Sequence, residues 1–217
     1  MFRKSGLVLA VLLSFIPVLA AQNQDQSQEE DRESDISVNF TGLYGIQEQN
    51  NGIKQSVSNS AGGLVTYRYR FGSRWGIDLN YGLSRNTDYY TVNNAGTPLS
   101  FYSIQSDVHE LTGDVLFRAF HHGRLSPYIL LGGGALIFAP TGISYGTSEQ
   151  VRELRPAAIY GGGTEVSLIG NFALRVQYRG LFYKIPDFGI STINPGIFTH
   201  TAEPSVGIVY RFSMRHF

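Results

Sequence analysis

The chain has 217 residues, with 17 Lys plus Arg balancing 17 Asp plus Glu, and no Cys. Net charge near zero gives no reason to expect a nucleic-acid partner, and a chain without Cys forms no disulfide, thiolate nucleophile, Cys-ligated zinc site or lipidated N-terminal Cys. Aromatics are abundant, with 13 Tyr and 14 Phe.

The N-terminus reads as an export signal over residues 1–20. Arg3 and Lys4 precede the apolar run GLVLAVLLSFIPVLA, and small residues at its end place cleavage after Ala20. The next stretch, AQNQDQSQEEDRESD (residues 21–35), has six acids, one Arg and no aromatics. It cannot bury a core, so it is expected to be a disordered polar leader on the periplasmic side. The barrel reading below covers residues 36–217, which hold 14 basic and 11 acidic residues.

From Val38 on, apolar residues recur with period two, the strand signal, and no stretch has a sustained helical period. Eight strands are predicted. In chain order they are VNFTGLYGI from Val38, LVTYRYRF from Leu64, WGIDLNYGL from Trp75, ELTGDVLFR from Glu110, YILLGGGALIF from Tyr128, AAIYGGGTEVSL from Ala157, LRVQYRGLF from Leu174, and EPSVGIVYRF from Glu203. Links near 72–74, 121–126 and 169–171 are short. Those near 47–59, 84–106, 140–154 and 184–199 are long. An even number of strands with long links at one end gives an all-β fold: an eight-stranded antiparallel up-and-down barrel, with both termini at the short-turn end.

Alternation sorts most strands into an apolar and a polar face; the facing of 127–138 stays open, because both its faces are apolar. The polar face carries Arg68, Arg70, Arg118, Arg175, Arg179 and Arg211 with Asp78, Glu110, Asp114, Glu165 and Glu203. Six positive and five negative charges nearly cancel, as a closed interior requires. The other face has aromatics toward strand ends: Phe71, Trp75, Phe117, Phe172 and Phe212 by the short turns, Tyr44, Tyr81 and Phe182 by the long loops. That is the girdle pattern of a transmembrane barrel, apolar outside and polar inside. A soluble lipid-binding barrel would reverse the faces. It would show water a contiguous apolar belt that soluble monomers avoid.

Turn symmetry gives a register test. Counting outward from Ser73 sets Arg68 opposite Asp78, and counting from Gly170 sets Glu165 opposite Arg175, both favourable cross-strand pairs. The same counting about residue 147 sets the triplet Gly132–Gly134 opposite Gly161–Gly163, leaving room for long interior side chains. A phosphate-binding role for the triplets does not fit, since there is no GxxxxGK[ST] and no helix follows either one.

Over residues 36–217 the chain resembles the small outer-membrane β-barrels of Gram-negative bacteria, the OmpA-like transmembrane domain family. VGIVYRF near the C-terminus is the most specific piece. The resemblance implies that Val206, Ile208, Tyr210 and a terminal aromatic, Phe212 or Phe217, form the signal read by the outer-membrane assembly machinery. Phe212 keeps the alternation, and Phe217 lies out of phase with it. It also implies an outer-membrane location, lipid contact, and handling by periplasmic chaperones. No peptidoglycan-binding segment is expected after the barrel.

An eight-stranded barrel is just wide enough inside for side chains or one small ligand. The expected function is therefore structural or interactive, through long extracellular loops such as 86–102 and 140–150 and an extracellular partner they contact. Two alternatives remain. One is a narrow gated channel for small solutes. The other is a lipid-modifying enzyme, weighed on His200, Glu203 and Ser205. Alternation separates that His from the other two, whereas a Ser–His–acid set needs hydrogen-bond reach, so no enzyme is expected. No metal or cofactor is expected either. His121 and His122 lack further ligands nearby, and His109 with Glu110 point to opposite faces of one strand.

Overall fold

The structure is a computed structural model and describes residues 33–94, 97–119, 124–141 and 151–213. The export signal, most of the leader, His121, His122 and Phe217 lie outside the described residues. Among the described residues there are ten strands: β1 (Glu33–Gly45), β2 (Glu48–Asn50), β3 (Ile53–Val57), β4 (Ser60–Phe71), β5 (Trp75–Asn94), β6 (Thr97–Arg118), β7 (Leu125–Pro140), β8 (Glu153–Ser167), β9 (Phe172–Lys184) and β10 (Phe198–Ser213).

Eight of them close a barrel. β1, β4, β5, β6, β7, β8, β9 and β10 each pair antiparallel with the next, and β10 returns to β1. Following directly paired residues once around leads from Asp35 through Arg68, Asp78, Asp114, Gly132, Ile159, Leu181 and Thr201 to Gly45. The walk returns ten residues further along β1. For eight strands, that stagger sets a tilt of about 40° and a radius of about 8 Å. Glu33 lies beside Ser213, so the described ends of the barrel meet at the short-turn rim.

The exterior is apolar. Phe40 (65% exposed), Ile129 (63%) and Leu131 (69%) are bare on the wall, while Arg68, Arg175 and Arg179 are at most 1% exposed inside. At the short-turn rim, Trp75 packs on Phe117 and Phe172 on Tyr210, with ring centroids 5.0 and 5.3 Å apart. Near the long-loop rim, Phe182 stacks on Phe198 at 5.1 Å. An exposed Arg85–Asp107 ion pair marks the upper limit of the apolar band on β5 and β6.

The structure changes several sequence expectations. The leader does not reach Asp35: β1 begins at Glu33, because Asp35 continues the inward set of Ser37, Asn39 and Thr41 and is fully buried. The link 47–59 contains the hairpin β2–β3, whose second strand pairs with β5. Much of the long link 84–106 is strand: β5 and β6 run 20 and 22 residues, about twice the length that spans a bilayer, and stay paired above the membrane. In β7 the even-numbered residues face inward, so Tyr128, Leu130, Leu136 and Phe138 are interior and Ile129 and Leu131 meet lipid.

The glycine triplets are offset by three residues from the expected register. Gly132 pairs with Ile159, and Gly162 with Ile129. Parity is the reason. Even positions of β7 and odd positions of β8 face inward, so an even–even pairing would set an inward side chain opposite an outward one. Two of the glycines answer to close backbone approach. A Cβ on Gly132 would lie 2.1 Å from the Gly113 carbonyl oxygen, and one on Gly161 would lie 2.1 Å from that of Tyr178.

Candidate functional site

The barrel lumen holds three stacked layers. The lowest is a charge network. Glu165 on β8 accepts hydrogen bonds from four arginines on three strands. Arg68 Nη1 (2.6 Å) and Arg175 Nη2 (2.7 Å) reach one oxygen; Arg70 Nη2 and Arg211 Nη2 (2.8 Å each) reach the other. Arg68 also binds Asp78 through two nitrogens, at 2.6 and 2.7 Å. Its guanidinium carbon sits 4.4 Å from the centre of the Tyr128 ring. Asp35 bridges Arg70 (2.5 Å) and Arg175 (2.8 Å), and Glu33 closes on Arg70 at the rim. Paired, hydrogen-bonded charges can stay ionised out of water. Because Arg68 and Glu165 stand on opposite walls, their bond crosses the lumen.

The middle layer centres on Arg179 of β9. It bonds Glu203 (2.8 Å), Thr112 (2.9 Å) and Glu110, with Asp114 3.9 Å away. Asn80 links Asp114 (2.7 Å) to Thr66 (2.8 Å). Thus the structure sets ten of the eleven charged residues singled out in the sequence into two clusters. Arg118 also faces the lumen near the rim but makes no ion pair among the described residues.

The upper layer is apolar, which the expected polar lining did not include. Val108, Leu136, Phe138, Leu181 and Tyr183 face inward above Arg179. The chain between β9 and β10 folds down onto them. Ile185, Phe188 and Ile193 are fully buried, and Phe188 meets Phe138 edge to face at 6.3 Å. Phe188 takes a left-handed backbone, φ 53°, which costs about 1 kcal/mol. Burying its ring stabilises the segment by about 2–3 kcal/mol.

Polar pins fix this lid. Glu153 accepts from the Asp187 and Phe188 amides at 2.8 and 2.9 Å, and Arg155 pairs with Glu153 and with Asp187 (3.4 Å). Tyr90 donates to the Pro186 carbonyl at 2.7 Å, and Asn50 to that of Pro195 at 2.8 Å. Above Glu110 and Glu203 the upper lumen keeps a pocket of about 20 Å³, bordered by wall residues including Thr41, Asn86, Val108, Leu136 and Leu181 and not by the lid, room for one water.

The weighed Ser–His–acid residues do not converge. Glu203 and Ser205 point into the lumen; His200 lies on the outer wall, with its Nε2 2.9 Å from the Tyr160 hydroxyl. His109 likewise faces outward and bonds Tyr81 at 2.9 Å. Among the described residues no cluster could hold a metal ion. Val206, Ile208 and Tyr210 of the C-terminal strand face lipid. Sequence reasoning missed Glu33 and Asp35, although Asp35 was in phase with Ser37. It had no signal for the lid, whose apolar residues follow no regular period.

Comparison with known proteins agrees with this architecture. A family model described as the outer membrane protein β-barrel domain matches residues 8–212, and the chain belongs to that family. Solved structures share the fold. The attachment invasion locus protein Ail of Yersinia pestis, in complex with the heparin analogue sucrose octasulfate, is 22% identical over 84% of this chain and 99% of its own, with a TM-score of 0.51. Neisserial surface protein A is 11% identical over 82% of this chain and 97% of its own, TM-score 0.53. Outer membrane protein AlkL in DMPC bilayers is 16% identical over 90% of this chain and 97% of its own, TM-score 0.54. No curated relative matches the sequence.

Proposed function

We propose that this member of the outer-membrane β-barrel family acts through its extracellular surface, as a structural or adhesive element, and neither conducts solutes nor catalyses a reaction. The observation that carries the reading is the blocked lumen. The Glu165 network joins opposite walls in the lower layer, and the pinned lid packs Ile185, Phe188 and Ile193 into the mouth above it. What remains accessible is the outside. The β5–β6 ribbon stands above the Arg85–Asp107 pair and carries the exposed, stacked Tyr89 and Phe101 rings, 6.1 Å apart. The β2–β3 hairpin stands beside it. Such protruding, paired strands suit contact with an extracellular partner. Separation of His200 from Ser205 supports the non-enzymatic part.

The test has two arms. Purified protein in planar bilayers should give no conductance above background. Replacing residues 86–105 with a two-residue turn should leave an assembled, heat-modifiable barrel but abolish surface attachment by expressing cells. Steady conductance by the parent protein, or attachment untouched by the deletion, would defeat the reading. A gated channel predicts instead that neutralising Glu165 or Arg175 raises conductance, and unchanged conductance in both variants would end that alternative.

A further inference from the structure

Above the membrane band, one buried pair is short of a hydrogen. Gln55 on β3 donates through Nε2 to Asp88 Oδ1 on β5 at 2.9 Å, and each residue is only 1% exposed. The other two oxygens, Asp88 Oδ2 and Gln55 Oε1, are both buried and, among the described residues, both lack a hydrogen-bond donor. Two orphan acceptors on two groups already joined by one bond form an arrangement that buried polar groups avoid. A carboxyl and a carboxamide have a matching solution. If Oδ2 carries a proton, it donates to Oε1, and the two side chains close a ring of two hydrogen bonds.

We infer that Asp88 is protonated in the folded barrel and that its acid–amide pair with Gln55 clips the β2–β3 hairpin to the barrel rim, a clip released when the proton leaves to solvent. The surroundings agree. Among the described residues no cation pairs with Asp88. Tyr90 on β5 and Tyr183 on β9 face it as uncharged phenols. Glu153 on β8 and Asp187 in the lid act on Tyr90 and are taken up by Arg155. Lys54, next to Gln55, alternates to the other face of β3. Burial, only partly offset by the Gln55 bond, pushes the Asp88 carboxyl up to about 7. β3 holds the rim chiefly by five paired positions with β5, from Ile53–Val92 to Val57–Asp88, so losing a central side-chain bond and leaving a bare buried carboxylate weakens a small element. This inference concerns the hairpin's attachment and holds whatever the hairpin contacts.

The test follows the Gln55 side-chain amide resonance of the full barrel in nanodiscs from pH 5 to 9. It should titrate with a midpoint near 7 in the parent protein and stay flat in Asp88→Asn, whose amide closes the same ring without a proton. Because the chain has no Cys, a spin label on Lys54→Cys reports the hairpin alone. Label mobility should rise with pH in the parent background and stay low throughout in Asp88→Asn. In Gln55→Leu, which leaves Asp88 without its partner, mobility should already be high at pH 5. A flat Gln55 resonance in the parent, a midpoint near 4, or the same titration in Asp88→Asn would overturn the inference. So would a midpoint that moves with sodium concentration at fixed ionic strength, which would mean a metal cation where a proton is proposed. A label that stays immobile while Gln55 titrates would overturn the release.

Discussion

The lower and upper halves of the lumen obey the same alternation yet close by opposite chemistry. Below, arginines and carboxylates fill the bore, paired with neighbouring strands and, through Glu165 and Arg179, across the barrel. Above, Val108, Leu136, Phe138 and Leu181 present an apolar cup that only another apolar surface can fill, and the lid brings Ile185, Phe188 and Ile193 to it. The difference teaches where each solution works. The bore is formed only by barrel strands, so long side chains must reach one another across it. Arg can do so while donating from five N–H groups in a fixed fork. The mouth has a long connection at hand, so a folded segment can supply its core.

The largest effect should come from the hub. Removing the carboxylate in Glu165→Ala takes the shared partner from four guanidiniums, three of them nearly fully buried, and should lower unfolding free energy by about 3–5 kcal/mol. Urea unfolding in lipid vesicles measures this. A loss below about 1 kcal/mol would mean that the network is dispensable packing. Next comes the lid. Phe188→Ala should cost about 3 kcal/mol of local stability, read as faster hydrogen exchange at the amides of Ile190 and Ile193, which bond to Asp187 and Ile190 carbonyls. The barrel's urea midpoint should hardly move. If both fall together, lid and wall are one cooperative unit and the contrast between the halves is only chemical.

A third, smaller effect depends on pH. The folded Asp88 carboxyl, near 7, lies above its ordinary 3.8. Between these values the clipped state binds the proton that the released state gives up, so clip stability falls as pH rises through that window and levels off above it. Asp88→Asn should abolish that slope, and the trypsin sensitivity of Lys54, normalised to a free peptide, would report it. An unchanged slope would assign the pH dependence to other groups. Least should come from the exposed rim pair: Arg85→Ala should barely move the urea midpoint, and salt should mask what change there is. A larger, salt-resistant loss would mean that the edge of the membrane band is set by that pair and not by the apolar wall.

The sequence by itself determined the wall. Period-two alternation and turn spacing gave eight barrel strands and their order, and counting about two tight turns gave the true partners Arg68–Asp78 and Glu165–Arg175. Short links leave almost no freedom of register, so local counting suffices. The same counting failed by three residues across the long link between β7 and β8, where a long loop fixes nothing and parity with the rest of the barrel decides. Only the closed structure could turn β7, whose two faces are equally apolar, and bring Glu165 to Arg68 and Arg70 across the lumen. The lid, the apolar cup and the Gln55–Asp88 pair depend likewise on contacts between segments far apart in the chain. No local period records them, because curvature of the closed sheet, and not neighbour spacing, puts those side chains together.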